Sequence, residues 1–122
     1  GILEATIARL EHDPADLMAW LGPAITQSAY EVGGEVREAF VEPDPGAAEC
    51  FQPNERGRWQ ADLYELARRR LRALGVTAIH GGGYCTFADA ERFFSYRRDG
   101  DNRRMVSFVA LEPLENTAGG AI

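Results

Sequence analysis

The sequence predicts an α+β domain, a mixed β-sheet flanked by helices, on three observations. An amphipathic helix is written over residues 61–74, where Leu63, Leu66, Ala67, Leu71 and Leu74 fall on one face. Apolar runs at 17–21, 76–80 and 105–111 have the length of strands rather than of helices. Helical and strand-like segments also alternate without the fixed period of a repeat protein.

Taken in order, Ile2, Leu3, Ile7 and Leu10 lie at helical spacing and predict an opening helix that stops near Asp13-Pro14, because proline cannot continue it. No capping residue precedes this helix and Gly1 is not a methionine, so the chain is read as the trailing piece of a longer protein. Residues 17–21 predict a buried strand ended by Gly22-Pro23, and residues 24–31 a loop. Val36, Ala39 and Phe40 predict a helix over 35–41, after Gly33-Gly34. An exposed turn follows at Pro43-Asp44-Pro45-Gly46, then a polar loop over 51–58. The helix over 61–74 is stopped by Gly75. A strand over 76–80 leads into Gly81-Gly82-Gly83, and one or two helical turns are expected over 87–93. The last strand is expected over 105–111, with a frayed tail over 114–122 behind a domain spanning 1–113.

Composition narrows the function. At 122 residues the chain fits one domain with a real core. It carries 13 arginines and no lysine against 19 acids, a net charge of −6, which argues against nucleic acid as a bulk electrostatic partner. No apolar run reaches the ~20 residues of a membrane-spanning helix, and no secretory leader pattern is present. Cys50 and Cys85 stand far apart without a pairing motif, which points to a reducing, cytoplasmic setting.

The arginines cluster twice. Arg68 to Arg70 with Arg72 read as the exposed face of a helix, whereas Arg97, Arg98, Arg103 and Arg104 follow the aromatic run Phe93-Phe94-Ser95-Tyr96. Arginine presents a planar fork of donors suited to phosphate or carboxylate. The same segment reads equally as a strand edge with a solvated basic tip. Gly81-Gly82-Gly83 invites a phosphate-loop reading, but no Gly-Lys-Ser/Thr follows, so a tight connection is preferred. Cys85 is read as a packed thiol before a nucleophile or metal ligand. His80 lies five residues away, and the remaining histidine, His12, sits in a distant segment, so no metal site is complete. Asp62 is read as a first-turn carboxylate, the Asp13/Asp16 pair as a turn with a cap, and Trp20 and Trp59 as core or interface aromatics.

Several segments in order carry a family resemblance. They are Leu21-Gly22-Pro23-Ala24-Ile25, Tyr30-Glu31-Val32-Gly33-Gly34-Glu35-Val36, Asp62-Leu63-Tyr64, Cys85-Thr86, Phe93-Phe94-Ser95-Tyr96-Arg97-Arg98-Asp99 and Arg104-Met105-Val106-Ser107-Phe108. From Gly1 to about Leu111 the chain resembles the C-terminal half of the YfiH-like family, also called the laccase-domain or multicopper polyphenol oxidase family.

The resemblance implies a layered α+β domain of roughly twice this length. It implies a metal-dependent purine nucleoside phosphorylase acting on adenosine, inosine, guanosine and methylthioadenosine, with adenosine deaminase activity. The alternatives it carries are a copper-dependent polyphenol oxidase, a hydrolase editing peptidoglycan precursors, or an inactive structural half. The family's ligands for zinc (or copper) are two histidines and a cysteine in the preceding half, so none is assigned to this chain. The implied partners are purine nucleosides, phosphate, the N-terminal half of the same protein and a second copy of the chain. Residue chemistry places substrate contacts at Gly22, Pro23 and Ile25 as pocket wall, Cys85 and Tyr96 as lining, and Arg97 or Arg98 on an anion.

Overall fold

The computed structural model describes residues 1–112. Its elements are helix α1 (Ile2–Leu10), strand β1 (Met18–Leu21), strand β2 (Glu31–Val32), helix α2 (Gly34–Val41), strands β3 (Phe51–Pro53) and β4 (Trp59–Ala61), helix α3 (Leu63–Ala73), strand β5 (Ala78–Gly81) and the single turn α4 (Tyr96–Asp99). Short 3-10 turns at Pro14–Asp16, Gln27–Ala29 and Pro45–Cys50 join them. The α+β expectation is met by two small sheets, one parallel (β1 beside β5) and one antiparallel (β2-β4-β3).

Helix α3 shows how local sequence sets the frame. Asp62 caps it, its carboxylate accepting the Glu65 amide at 3.0 Å, so the residue expected in the first turn stands one step earlier. At the other end Gly75 adopts φ 94°, and the amides of Gly75 and Val76 donate back to Arg72 and Leu71 at 3.0 Å each. That left-handed stop favours glycine and turns the chain into β5. The inner face of α3 delivers Leu66 to a core with Val32, Ala47, Cys50, Phe51 and Ala61, against which Phe40 and Trp59 pack. The outer arginines are held by acids: Arg69 grips Asp44 at 2.8 and 2.9 Å, Arg72 meets Glu65 at 2.9 Å, and Arg70 reaches Glu4 of α1 at 3.5 Å.

Four expectations need correction. The strand at 17–21 forms as β1, but it is not buried: Met18 is 73% and Trp20 60% exposed, because β1 belongs to a two-stranded sheet with one covered face. The polar loop at 51–58 opens as strand β3, since Phe51, Gln52 and Pro53 pair with β4. Residues 87–93 form turns, and the helical turn lies later, at α4, where the basic segment had been open to a strand-edge reading. No strand forms over 105–111; this stretch is exposed and has no ladder partner among the described residues. The tail expected over 114–122 lies outside the described residues.

Candidate functional site

The candidate site grows from the parallel pairing of β1 with β5, in register Met18 to Ala78 through Leu21 to Gly81. Parallel strands end on the same edge, so the loops that follow them are brought together, the usual place for a binding crevice in sheets of this kind. Gly81, at φ 86°, turns the chain immediately beside the Leu21 backbone, where a Cβ would collide with the Leu21 carbonyl. The Gly82 amide then donates to the Leu21 carbonyl at 3.2 Å, and Thr86 donates to the carbonyl of Ala24 at 2.9 Å. Ala24 and Cys85 form an isolated parallel bridge. The predicted wall residues Gly22, Pro23 and Ile25 therefore lie in one loop and Cys85 in the loop beside it.

A tyrosine that sequence reading carried only as part of a motif fastens these loops. The Tyr64 hydroxyl, on α3, accepts the Ala24 amide at 2.8 Å and donates to the Tyr84 carbonyl at 2.6 Å. Its ring is buried and lies under the Arg68 guanidinium, 5.9 Å from the ring centre. Nothing in apolar periodicity distinguishes this tyrosine from a core aromatic.

Cys85 is half-buried, and its sulfur receives the Thr26 amide at 3.4 Å. Burial pushes this thiol up, but the amides of Thr26, Ala88 and Phe87 outweigh it and hold the thiol below its usual range. Cys50, buried in the core, is pushed up by that burial.

The basic segment divides into different roles. Arg98 turns inward: one end of its fork donates to the carbonyls of Thr86 and Phe87 at 2.8 and 3.0 Å, the other to Phe93 at 2.9 Å, and Asp99 takes the remaining edge. Its donors are spent within the chain, beside Cys85. Arg97 instead reaches the Glu31 carbonyl at 2.8 Å and lies 5.1 Å from the ring centre of Tyr30. Tyr96 is exposed, with the Arg104 guanidinium 5.9 Å from its ring.

Two clefts border the paired loops. One of about 300 Å³ is lined by Gly22, Pro23, Arg92, Phe93, Met105 and Ser107. The other, of about 530 Å³, includes Gly83, Tyr84, Cys85, Asp89 and Arg92. Arg92, which sequence reading did not single out, lines both. Asp89 holds its Nε at 2.5 Å, and its guanidinium lies 5.0 and 5.6 Å from the ring centres of Tyr84 and Phe93. The arrangement thus offers cationic donors beside apolar walls, a combination suited to an anionic group attached to or reacting with a flat ring.

The residues described do not by themselves fit a zinc or copper ion. Among them, no three histidine, cysteine, aspartate or glutamate side chains stand close enough to share a metal, and His80, at the exposed end of β5, has no such company. No helix among them is long and apolar enough to cross a membrane.

A purine nucleoside phosphorylase of Pseudomonas aeruginosa is 53% identical over 113 residues, covering 92% of this chain and 47% of that protein. The purine nucleoside phosphorylase YfiH of Escherichia coli is 49% identical over 111 residues, covering 91% and 45%. Among solved structures, a Neisseria meningitidis protein superposes with a TM-score of 0.80 at 48% identity, covering 82% of this chain and 41% of that one. YlmD from Geobacillus stearothermophilus gives 0.70 at 29% identity, covering 81% and 38%. The chain spans about half the length of the curated relatives it matches. The family described as multi-copper polyphenol oxidoreductase laccase matches residues 1–112, and with relatives this similar over nine-tenths of its length, the chain belongs to that YfiH-like family.

Proposed function

We propose that this chain forms part of a purine nucleoside phosphorylase, and that its paired loops after β1 and β5 supply one wall of the nucleoside and phosphate pocket. The observation that carries the reading is the convergence of Gly22, Pro23 and Cys85 on clefts that share the cation Arg92, in a chain whose relatives bear that activity as their name. In the reaction a phosphate oxygen bonds to C1′ of the ribose, the C1′–N9 bond breaks with its electron pair leaving on the purine, and the base takes up a proton. The products are free base and ribose 1-phosphate.

Pro23 gives apolar wall to the purine and Cys85 lines the neighbouring cleft, whereas Ile25 and Tyr96, expected beside them, line neither cleft. Arg92, which lines both clefts, is the first cation for phosphate, and Arg97, set against Tyr30 outside both linings, is the second, since their forks keep donors that Arg98 has spent on backbone carbonyls. A cation aimed at the phosphate counts most where charge builds up between nucleophile and oxocarbenium-like sugar. Adenosine, inosine, guanosine and methylthioadenosine are the substrates of this reading, with adenosine deamination as a second activity. Zinc, or copper in its place, belongs with donors outside the described residues, on the remaining length that relatives possess. That remainder, and a second copy of the chain, are the protein partners. The two free thiols support a cytoplasmic setting.

Incubating the full-length protein with inosine tests the reading: hypoxanthine should appear only when phosphate is supplied, with ribose 1-phosphate in equal amount. Base release that ignores phosphate would reject it. The family's description favours a second reading, a copper-dependent phenol oxidase, for which oxygen uptake with a phenol is the deciding assay.

A further inference from the structure

We propose that Tyr64 is a positioning residue for the nucleoside pocket, its hydroxyl fixing the spacing between the wall loop at 22–25 and the loop that carries Cys85. The proposal rests on the phosphorolysis reading for its kinetic consequence, but not for its geometry.

One oxygen makes both attachments, accepting from Ala24 on one loop and donating to Tyr84 on the other. The two partners are backbone groups, so the distance between the loops is set by the hydroxyl itself rather than by side chains that can rotate. The ring is buried on α3, whose Asp62 cap and Gly75 stop fix the helix in place. Gly82 lies against the same ring: a Cβ there would stand 3.2 Å from Tyr64 Cδ1, so the glycine loop follows the tyrosine closely. Beyond this clamp the loops touch through the Thr86 amide on Ala24 and the Thr26 amide on the Cys85 sulfur. Loss of the hydroxyl frees Ala24 N–H and Tyr84 C=O together and lets the loops separate, displacing Pro23 and Cys85 relative to each other. A pocket whose binding-competent loop arrangement is only fractionally populated binds its substrate more weakly by that fraction, with the chemistry of the assembled state unchanged.

Tyr64→Phe in the full-length protein keeps the ring and removes only the clamp. Measured well below its unfolding temperature, it should raise KM for inosine roughly tenfold, the weight of about one net hydrogen bond, while kcat per folded molecule changes little. A merely structural tyrosine would instead lower apparent kcat in step with the folded fraction at unchanged KM, and that result overturns the proposal. A second arm does not depend on the activity. Iodoacetamide labelling of Cys85, followed on its own peptide by mass spectrometry, should quicken several-fold in Tyr64→Phe, and an unchanged rate overturns the clamp. If the wild-type protein shows no phosphorolysis, the functional reading fails while the labelling arm still decides the clamp. Should the variant not fold, hydrogen exchange at the Ala24 amide in the wild-type protein decides instead: slow exchange supports the clamp, and exchange at the rate of an open loop overturns it.

Discussion

Arg98 donates to the carbonyl of Thr86, twelve positions earlier, at 2.8 Å, and so ties the α4 turn to the loop that carries Cys85. The Asp99 carboxylate beside it, bonded to its fork, raises the guanidinium further above its usual range. A planar fork is needed to reach Thr86, Phe87 and Phe93 at once, and a lysine ammonium has no such geometry. Arg98→Lys is therefore expected to lower the urea midpoint of unfolding with little change in phosphate KM. A raised phosphate KM at unchanged stability would return Arg98 to the anion site.

Arg97 should behave in the opposite way. Its contacts are a single carbonyl and the face of Tyr30, so Arg97→Ala is expected to leave stability nearly unchanged. Loss of one charge-assisted contact to phosphate would raise phosphate KM roughly tenfold. Steady-state kinetics at varied phosphate check this, and Arg92→Ala gives the matching comparison for the cation that lines both clefts.

The two thiols should separate by pH. Amides around Cys85 hold its thiol low, whereas burial holds that of Cys50 high. Because the thiolate is the reactive form, alkylation near neutral pH should mark Cys85 well before Cys50. Peptide-level labelling across a pH series measures both rates, and equal rates would refute the assignment.

Acid should weaken the tie between α3 and the turn before β3. A hydrogen bond from Arg69, working against burial, keeps the Asp44 carboxyl below its ordinary value. A carboxyl whose folded value is depressed contributes stability that is complete above its unfolded value and disappears as pH falls through the folded one. Asp44→Asn should accordingly be less stable than the parent at pH 7, and the gap should close in acid. The pair is partly exposed, so salt should narrow the gap too. Urea midpoints across pH and salt test both statements.

In the core, Leu66→Ala removes a side chain that is 3% exposed and sits among Val32, Phe51 and Ala61. The expected loss is about 2–5 kcal/mol, from transfer and cavity together, read by urea unfolding.

How much of this was legible depended on whether a signal was local. The α3 stripe, its glycine stop and the strand before the triple glycine are written in neighbouring residues, and each formed as expected. Strands β2, β3 and β4 are two or three residues long, too short for alternation to register, and they exist through pairing with one another. Val106, Phe108, Val109 and Leu111 alternate well enough to suggest a strand, but strands need partners, and none of the described residues supplies one. The site was legible as positions and less so as roles. Motifs pointed to Gly22, Pro23, Cys85 and Arg98, yet nothing in a string of letters says that Arg98 faces inward, or that one hydroxyl on α3 joins two loops from either side of it.

The parallel pairing of β1 with β5 also has a consequence for the order of folding. Its loops meet across long separations, as between Thr26 and Cys85, which are 59 positions apart. Everything between them, the β2-β4-β3 sheet with α2 and α3, closes through shorter loops and can collapse first. The crevice between the two loops is thus assembled last, on a scaffold already in place. In refolding, the Ala24 amide should gain protection later than the amides of α3, and a nascent chain that stalls before β5 would hold its core and have no pocket.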